Sequence, residues 1–154
     1  MDMQCDIRGL CRHVARELSR LPWPDGSGVT VLCEEEGDAW ATAAEALSSA
    51  DGGVALVVRA GEATPGGRDA EGRLVLECRL ALAAQEVPAL NRLDHTRMTA
   101  LQAAEFAALS VEGEDFRLDS IRPAQVSPDG GETRIAVCTA ALTTTLTLNP
   151  EPKD

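Results

Sequence analysis

The sequence predicts an α+β fold: a mainly antiparallel (mixed) β-sheet of about five strands, with helices packed largely on one face. Three observations carry this. Met3, Ile7, Leu10, Val14, Leu18 and Leu21 recur at helical spacing near the N-terminus. Later runs such as RLVLECRLAL alternate with the two-residue period of a strand. The elements fall in the order helix, strand, helix, strand, strand, helix, strand, strand, with two of the joins reading as hairpins. At 154 residues the chain reads as a single domain over 1–154, with an N-terminal helix at 2–20, an α/β core at 29–148 and a polar tail at 149–154.

The first helix is amphipathic. LPWPDGSG ends it, because Pro22 and Pro24 forbid continuation. Trp23, between those prolines, is expected to pack over the core edge. Val29–Cys33 is a short strand, and the acidic turn of Glu34, Glu35 and Glu36 after it reads as solvated rather than metal-binding. Asp38 is a candidate N-cap for a helix over Ala39–Ala50, with Trp40, Ala43, Ala44 and Leu47 as its buried stripe.

Val54–Ala60 is almost wholly apolar and predicts an interior strand covered on both faces. GEATPGGRDAEG then reads as a long polar loop at a hairpin tip. Its glycines fit neither the Walker loop nor the dinucleotide fingerprint, so contact with another subunit is the favoured use. In the following strand Leu74, Leu76, Cys78, Leu80 and Leu82 share one face, while Val75, Glu77, Arg79 and Ala81 share the other. Thr99–Ser110 is a helix, with Leu101, Ala104, Ala108 and Leu109 on or near one face and alanines that permit close approach to a sheet.

The chain closes on a second hairpin around SPDGG. Phe116, Leu118, Ala124 and Val126 share a phase that Ile121 breaks, which predicts a bulge. Pro123 places this strand partly on an edge. The last strand, the longest by sequence, is apolar on both faces at Ile135–Cys138. It then becomes one-sided, with Ala140, Leu142, Leu146 and Leu148 set against Thr143, Thr145 and Thr147. That pattern predicts a strand leaving the core with its threonine face uncovered.

Composition narrows function. Fourteen basic and 25 acidic residues give a net charge of −11, which argues against tracking nucleic-acid phosphates or docking on an anionic membrane. Two Trp, two Phe and no Tyr cannot build a base-stacking platform. Cysteines 5, 11, 33, 78 and 138 are odd in number and include no CxxC, so they read as reduced, small apolar residues. MDMQCDIRGL lacks the basic start and apolar run of a signal peptide, and no apolar run is long enough to span a membrane. His13 and His95 lie far apart in sequence. Asp94–His95 is the one candidate acid–base pair, with surface or capping roles as the default.

The chain resembles the small tail terminator or tail completion proteins of long-tailed bacteriophages. The resemblance covers most of the sequence. It rests on the first helix, on DAWATAAEALSSADGGVALVVRAGEA, and on RLVLECRLAL after a glycine-rich tip. It rests further on TALQAAEFAALSVEGEDFRLDSIRPAQV and the hairpin around SPDGG. The resemblance implies a structural virion protein of the tail or neck, assembled in the host cytoplasm. It implies a homo-oligomeric, hexameric ring that meets the tail tube protein and the head–tail connector or neck protein. DNA would pass through without specific binding. No catalytic, cofactor-binding or metal residues are implied. A ring needs a self-associating surface, expected at Pro65, Gly66, Gly67 and Arg68 and along Thr143, Thr145 and Thr147. A head-completion or neck protein, another minor tail protein, or a non-phage soluble interaction domain would share this layout.

Overall fold

The computed structural model describes residues 7–23, 29–34, 42, 54–86, 99–113, 116–128 and 134–148. The first helix, α1 (Ile7–Ser19), buries Leu10, Cys11, Val14, Ala15 and Leu18 on one face. It stops as the sequence requires. Arg20 and Leu21 donate to the carbonyls three residues back, and Pro22 follows. The Trp23 indole donates to the Leu18 carbonyl at 3.0 Å, a second donor to an acceptor at the helix end that Leu21 N–H also reaches. Its ring packs 5.0 Å from that of Phe106, so Trp23 sits against the core edge as expected.

Five strands form one sheet in the order β1-β2-β3-β5-β4: β1 (Val29–Cys33), β2 (Val54–Arg68), β3 (Leu74–Glu86), β4 (Arg117–Pro128) and β5 (Arg134–Leu148). β1 runs parallel to β2, and the other pairings are antiparallel. A second described helix, α2 (Ala100–Val111), packs beside α1 on the same face of the sheet. The fold is α+β with helices on the sheet, as the pattern predicts.

The register shows why. Leu56 pairs with Ala84, Leu82 with Ala140, and Leu80 with Leu142, so the apolar phase of each strand falls on the helix-covered face. Ala55, Val57 and Ala83 belong to the opposite phase and are buried too, which accounts for the nearly continuous apolar run in β2. The expected helix over Ala39–Ala50 lies outside the described residues except for Thr42, which is helical. Residues 2–6 of the expected first helix, the tail at 149–154, Cys5 and the Asp94–His95 pair also lie outside them.

Two expectations change. α2 begins with Thr99 as N-cap in a reciprocal capping box: Thr99 N–H donates to Gln102 Oε1 at 2.9 Å, and Gln102 N–H donates to Thr99 Oγ1 at 3.2 Å. Its buried face, however, is all alanine, from Ala100, Ala103, Ala104, Ala107 and Ala108. Leu101 and Leu109 are exposed, at 37% and 62%. Small side chains let the helix sit close to the sheet, and the leucines fall outside that contact. The second change is at the hairpin tip. β2 runs on through Gly61–Arg68, most of the segment expected to be loop, and only 69–73 form the turn. β5 matches β2 in length at 15 residues each, so it is not uniquely the longest strand.

Candidate functional site

Beyond Arg59 the outer strand of the β2–β3 hairpin becomes exposed and continues as an arm, while Cys78 on β3 beside it stays buried in the core. Every residue from Gly61 to Arg68 is exposed. β1 pairs with β2 only as far as Cys33 and Val58, so the outer edge of β2 along the arm meets no described strand. On the inner side β3 pairs with β5 through to Leu74 and Leu148, which makes the arm three strands wide. β4 accompanies β5 only as far as Thr143.

Irregularities in β2 twist the arm. Gly61 and Glu62 together oppose Arg79 in a bulge, and a Cβ at Gly61 would lie 3.0 Å from the Arg79 carbonyl oxygen. A second irregularity sets Gly66 and Gly67 against Val75, with Gly67 at φ +91°, a conformation that glycine adopts without strain. The tip is a self-contained turn. Asp69 Oδ1 accepts from the Arg73 and Glu71 N–H groups at 2.8 and 3.0 Å. Asp69 Oδ2 lies 2.9 Å from Arg73 Nε. The Arg73 backbone hydrogen bond, with its guanidinium alongside, holds the Asp69 carboxyl below its ordinary pKa, and Asp69 raises that of Arg73 in return.

Pro65, Gly66, Gly67 and Arg68 are therefore the distal end of an edge strand and not a loop. Pro65 pairs with Leu76, and Arg68 donates to the Gly72 carbonyl at 2.7 Å. Thr145 and Thr147 stand on the same arm across β3, opposite Glu77 and Val75. The structure thus brings the two groups onto one projection. Thr145 is exposed, but Thr143 is 5% exposed and donates its hydroxyl to Asp119. Thr143 is consequently an internal anchor, and the open threonine face expected from the alternation does not include it.

Asp119 is the extra residue of a bulge in β4, between Leu118 opposite Leu142 and Ser120 opposite Ala141. This bulge moves Ile121 onto the core face together with Leu118, as the broken phase predicts. The Thr143 hydroxyl, then Arg117 at 3.2 Å, hold the Asp119 carboxyl below its ordinary pKa. A carboxylate stabilised in this way is a weak base, suited to fixing the bulge. An open cleft of about 180 Å³ beside it is lined by Glu77, Phe116, Arg117 and Thr145 among others.

Cys11, Cys33, Cys78 and Cys138 are buried free thiols, consistent with small apolar packing. Burial raises the pKa of Cys78 and Cys138, and the latter donates to the Arg122 carbonyl. Glu34 lies 3.8 Å from Arg59, while Glu35 and Glu36 are outside the described residues. Among the described residues no group of His, Cys, Asp and Glu is arranged to hold a metal, and no helix is long and apolar enough to cross a membrane.

Sequence reasoning passed over a further set. Arg8, Arg12, Arg16 and Arg20 follow a four-residue spacing, which is a single stripe on a helix. The signal was legible, but it is hidden by the acidic balance of the whole chain. No protein-family model matches the chain, and no curated protein matches it.

Proposed function

We propose that this chain is a ring-forming structural subunit of the tail terminator type, which caps a tail tube and meets a head connector. The arm supports this reading. A strand edge of eight exposed residues, from Gly61 to Arg68, is a ready template for pairing with another chain. Soluble proteins cover or disrupt such edges, and a subunit that assembles covers them with its neighbour. The bulges and Pro65 interrupt the edge, so it resists indiscriminate pairing while leaving short stretches for a specific one.

Arm and body then divide the work. The helix-backed sheet gives a rigid subunit, and the arm reaches an adjacent copy. A net charge of −11 keeps separate copies soluble and lets DNA pass a channel without adhering.

The test is native mass spectrometry combined with binding to purified tail-tube ends and connectors. A closed ring of about six copies, the number the resemblance implies, is the expected result. A stable monomer that binds neither structure overturns the reading.

A further inference from the structure

The charge of this molecule is unevenly placed. Ile7–Arg20 holds four arginines and one glutamate, a net +3, which leaves −14 for the rest of the −11 chain. The arginines succeed one another at about 6 Å along the helix. Arg12 is half-buried and Arg16 exposed. Both line an open groove of about 160 Å³ whose other wall is β1, at Val31 and Leu32. β1 is the outermost strand at its end of the sheet, so the groove faces outward. Among the described residues Arg12 and Arg16 form no ion pair.

The opposite end of the sheet carries the complement. α2 lies chiefly over β5, β3 and β4 and also touches β2, whereas α1 lies over β1 and β2. Phe106 meets Trp23 on the flank of α2 that faces α1. With successive residues turned by about 100°, Leu101 and Glu105 fall on the other flank, towards β4. Leu109 stands between the flanks on the outer surface. Glu112 follows on the β4 side, accepting from the Leu118 N–H at 3.3 Å. Leu101 and Leu109 are two of three large hydrophobic side chains exposed among the described residues. They bracket the exposed Glu105 along one line of the helix.

We infer that these two ends are the halves of one heterologous interface between copies of this chain. The Leu101–Glu105–Leu109 flank of one copy seats against the Arg12–Arg16 groove of the next. The arginine stems cover the leucines while the guanidinium groups meet Glu105 and Glu112. A second copy is the occupant because the patches are opposite in charge and stand at opposite ends of the sheet. Head-to-tail repetition of such a contact gives a ring when the rotation closes. The inference rests on the ring-forming reading and adds a body-to-body contact distinct from the arm.

Two variants test it: Arg12→Glu with Arg16→Glu, and Glu105→Arg with Glu112→Arg. Sedimentation equilibrium of each alone should show association weakened by about tenfold or more, from like charges brought together. An equimolar mixture should regain assembly, because each variant then supplies the charge that the other has inverted. The recovery also establishes that both variants are folded. Wild-type assembly matched by either variant alone, or a mixture that fails to recover, overturns this interface and leaves the ring-forming reading standing. A wild-type chain that remains monomeric overturns both.

Discussion

At the scale of single residues, Asp119 and Thr143 show how a side chain outside any chemistry sets local shape. The bulge leaves Asp119 without a place in the β4–β5 ladder, and the Thr143 hydroxyl holds it over β5. Thr143→Val preserves shape and removes only the donor, so it should lower stability by about 1 kcal/mol. Carbon-13 NMR titration should show the Asp119 pKa rising towards its ordinary value. An unchanged pKa would assign the depression to the nearby arginines, Arg117 and Arg79. Asp69 and Asp119 both titrate below their ordinary values in the folded chain. Their contribution to stability is thus complete above the unfolded carboxylate pKa and is lost as pH falls through the lower folded values. Thermal denaturation should therefore show the midpoint falling below about pH 4. Asp69→Asn should blunt that fall, since the amide keeps an acceptor for the turn but no longer titrates.

The element scale separates what was legible from what was not. The first part of β3, as far as Leu82, could be read residue by residue because its alternation and its single covered face agree there. The β4 bulge could be read as well, since Ile121 falls out of phase and only an inserted residue restores it to the core. The extension of β2 could not. Gly61, Pro65, Gly66 and Gly67 are turn residues by composition, yet here they belong to a strand held by pairing with β3, the glycines at its bulges and Pro65 opposite Leu76. Hairpin pairing with β3 overrides local preference there, and the composition of the segment does not display it. For α2, alanine spacing announced close packing, but the leucines drew the expected face away from the buried one. That assignment has a direct consequence. Ala104→Leu should overpack the helix–sheet contact and lower stability by about 1–3 kcal/mol. Leu109→Ala, on the outer face, should leave monomer stability within about 0.5 kcal/mol. Equal losses in chemical denaturation would return the leucine to the core. Thr99→Ala removes half the capping box and should cost about 1 kcal/mol.

For the whole molecule the decisive question is whether the arm serves folding or assembly. Within one subunit its outer strand contributes little core, whereas Cys78 and Leu146 on the inner strands are buried. Gly61–Arg68 is exposed throughout, and Leu74 near the tip is 47% exposed. Its backbone edge, though interrupted by two bulges and Pro65, leaves short stretches that a second chain can pair with. Ala63→Lys with Thr64→Lys places a charge on each face of that edge while leaving the paired side, opposite Cys78 and Glu77, in register. Both positions are exposed, so monomer stability should stay within about 0.5 kcal/mol of wild type in chemical denaturation. Assembly should fall sharply in sedimentation, because an approaching strand would have to desolvate both lysines. The body-to-body flanks remain intact in this variant, so any residual species should be short open chains rather than closed rings. Full-sized rings from the lysine variant would make the arm a solvated ribbon and leave assembly to the α1 and α2 flanks. Lost stability without assembled wild type would instead make the arm part of the fold. Measuring both quantities on one variant separates these outcomes, because stability reports the subunit and mass reports its neighbours.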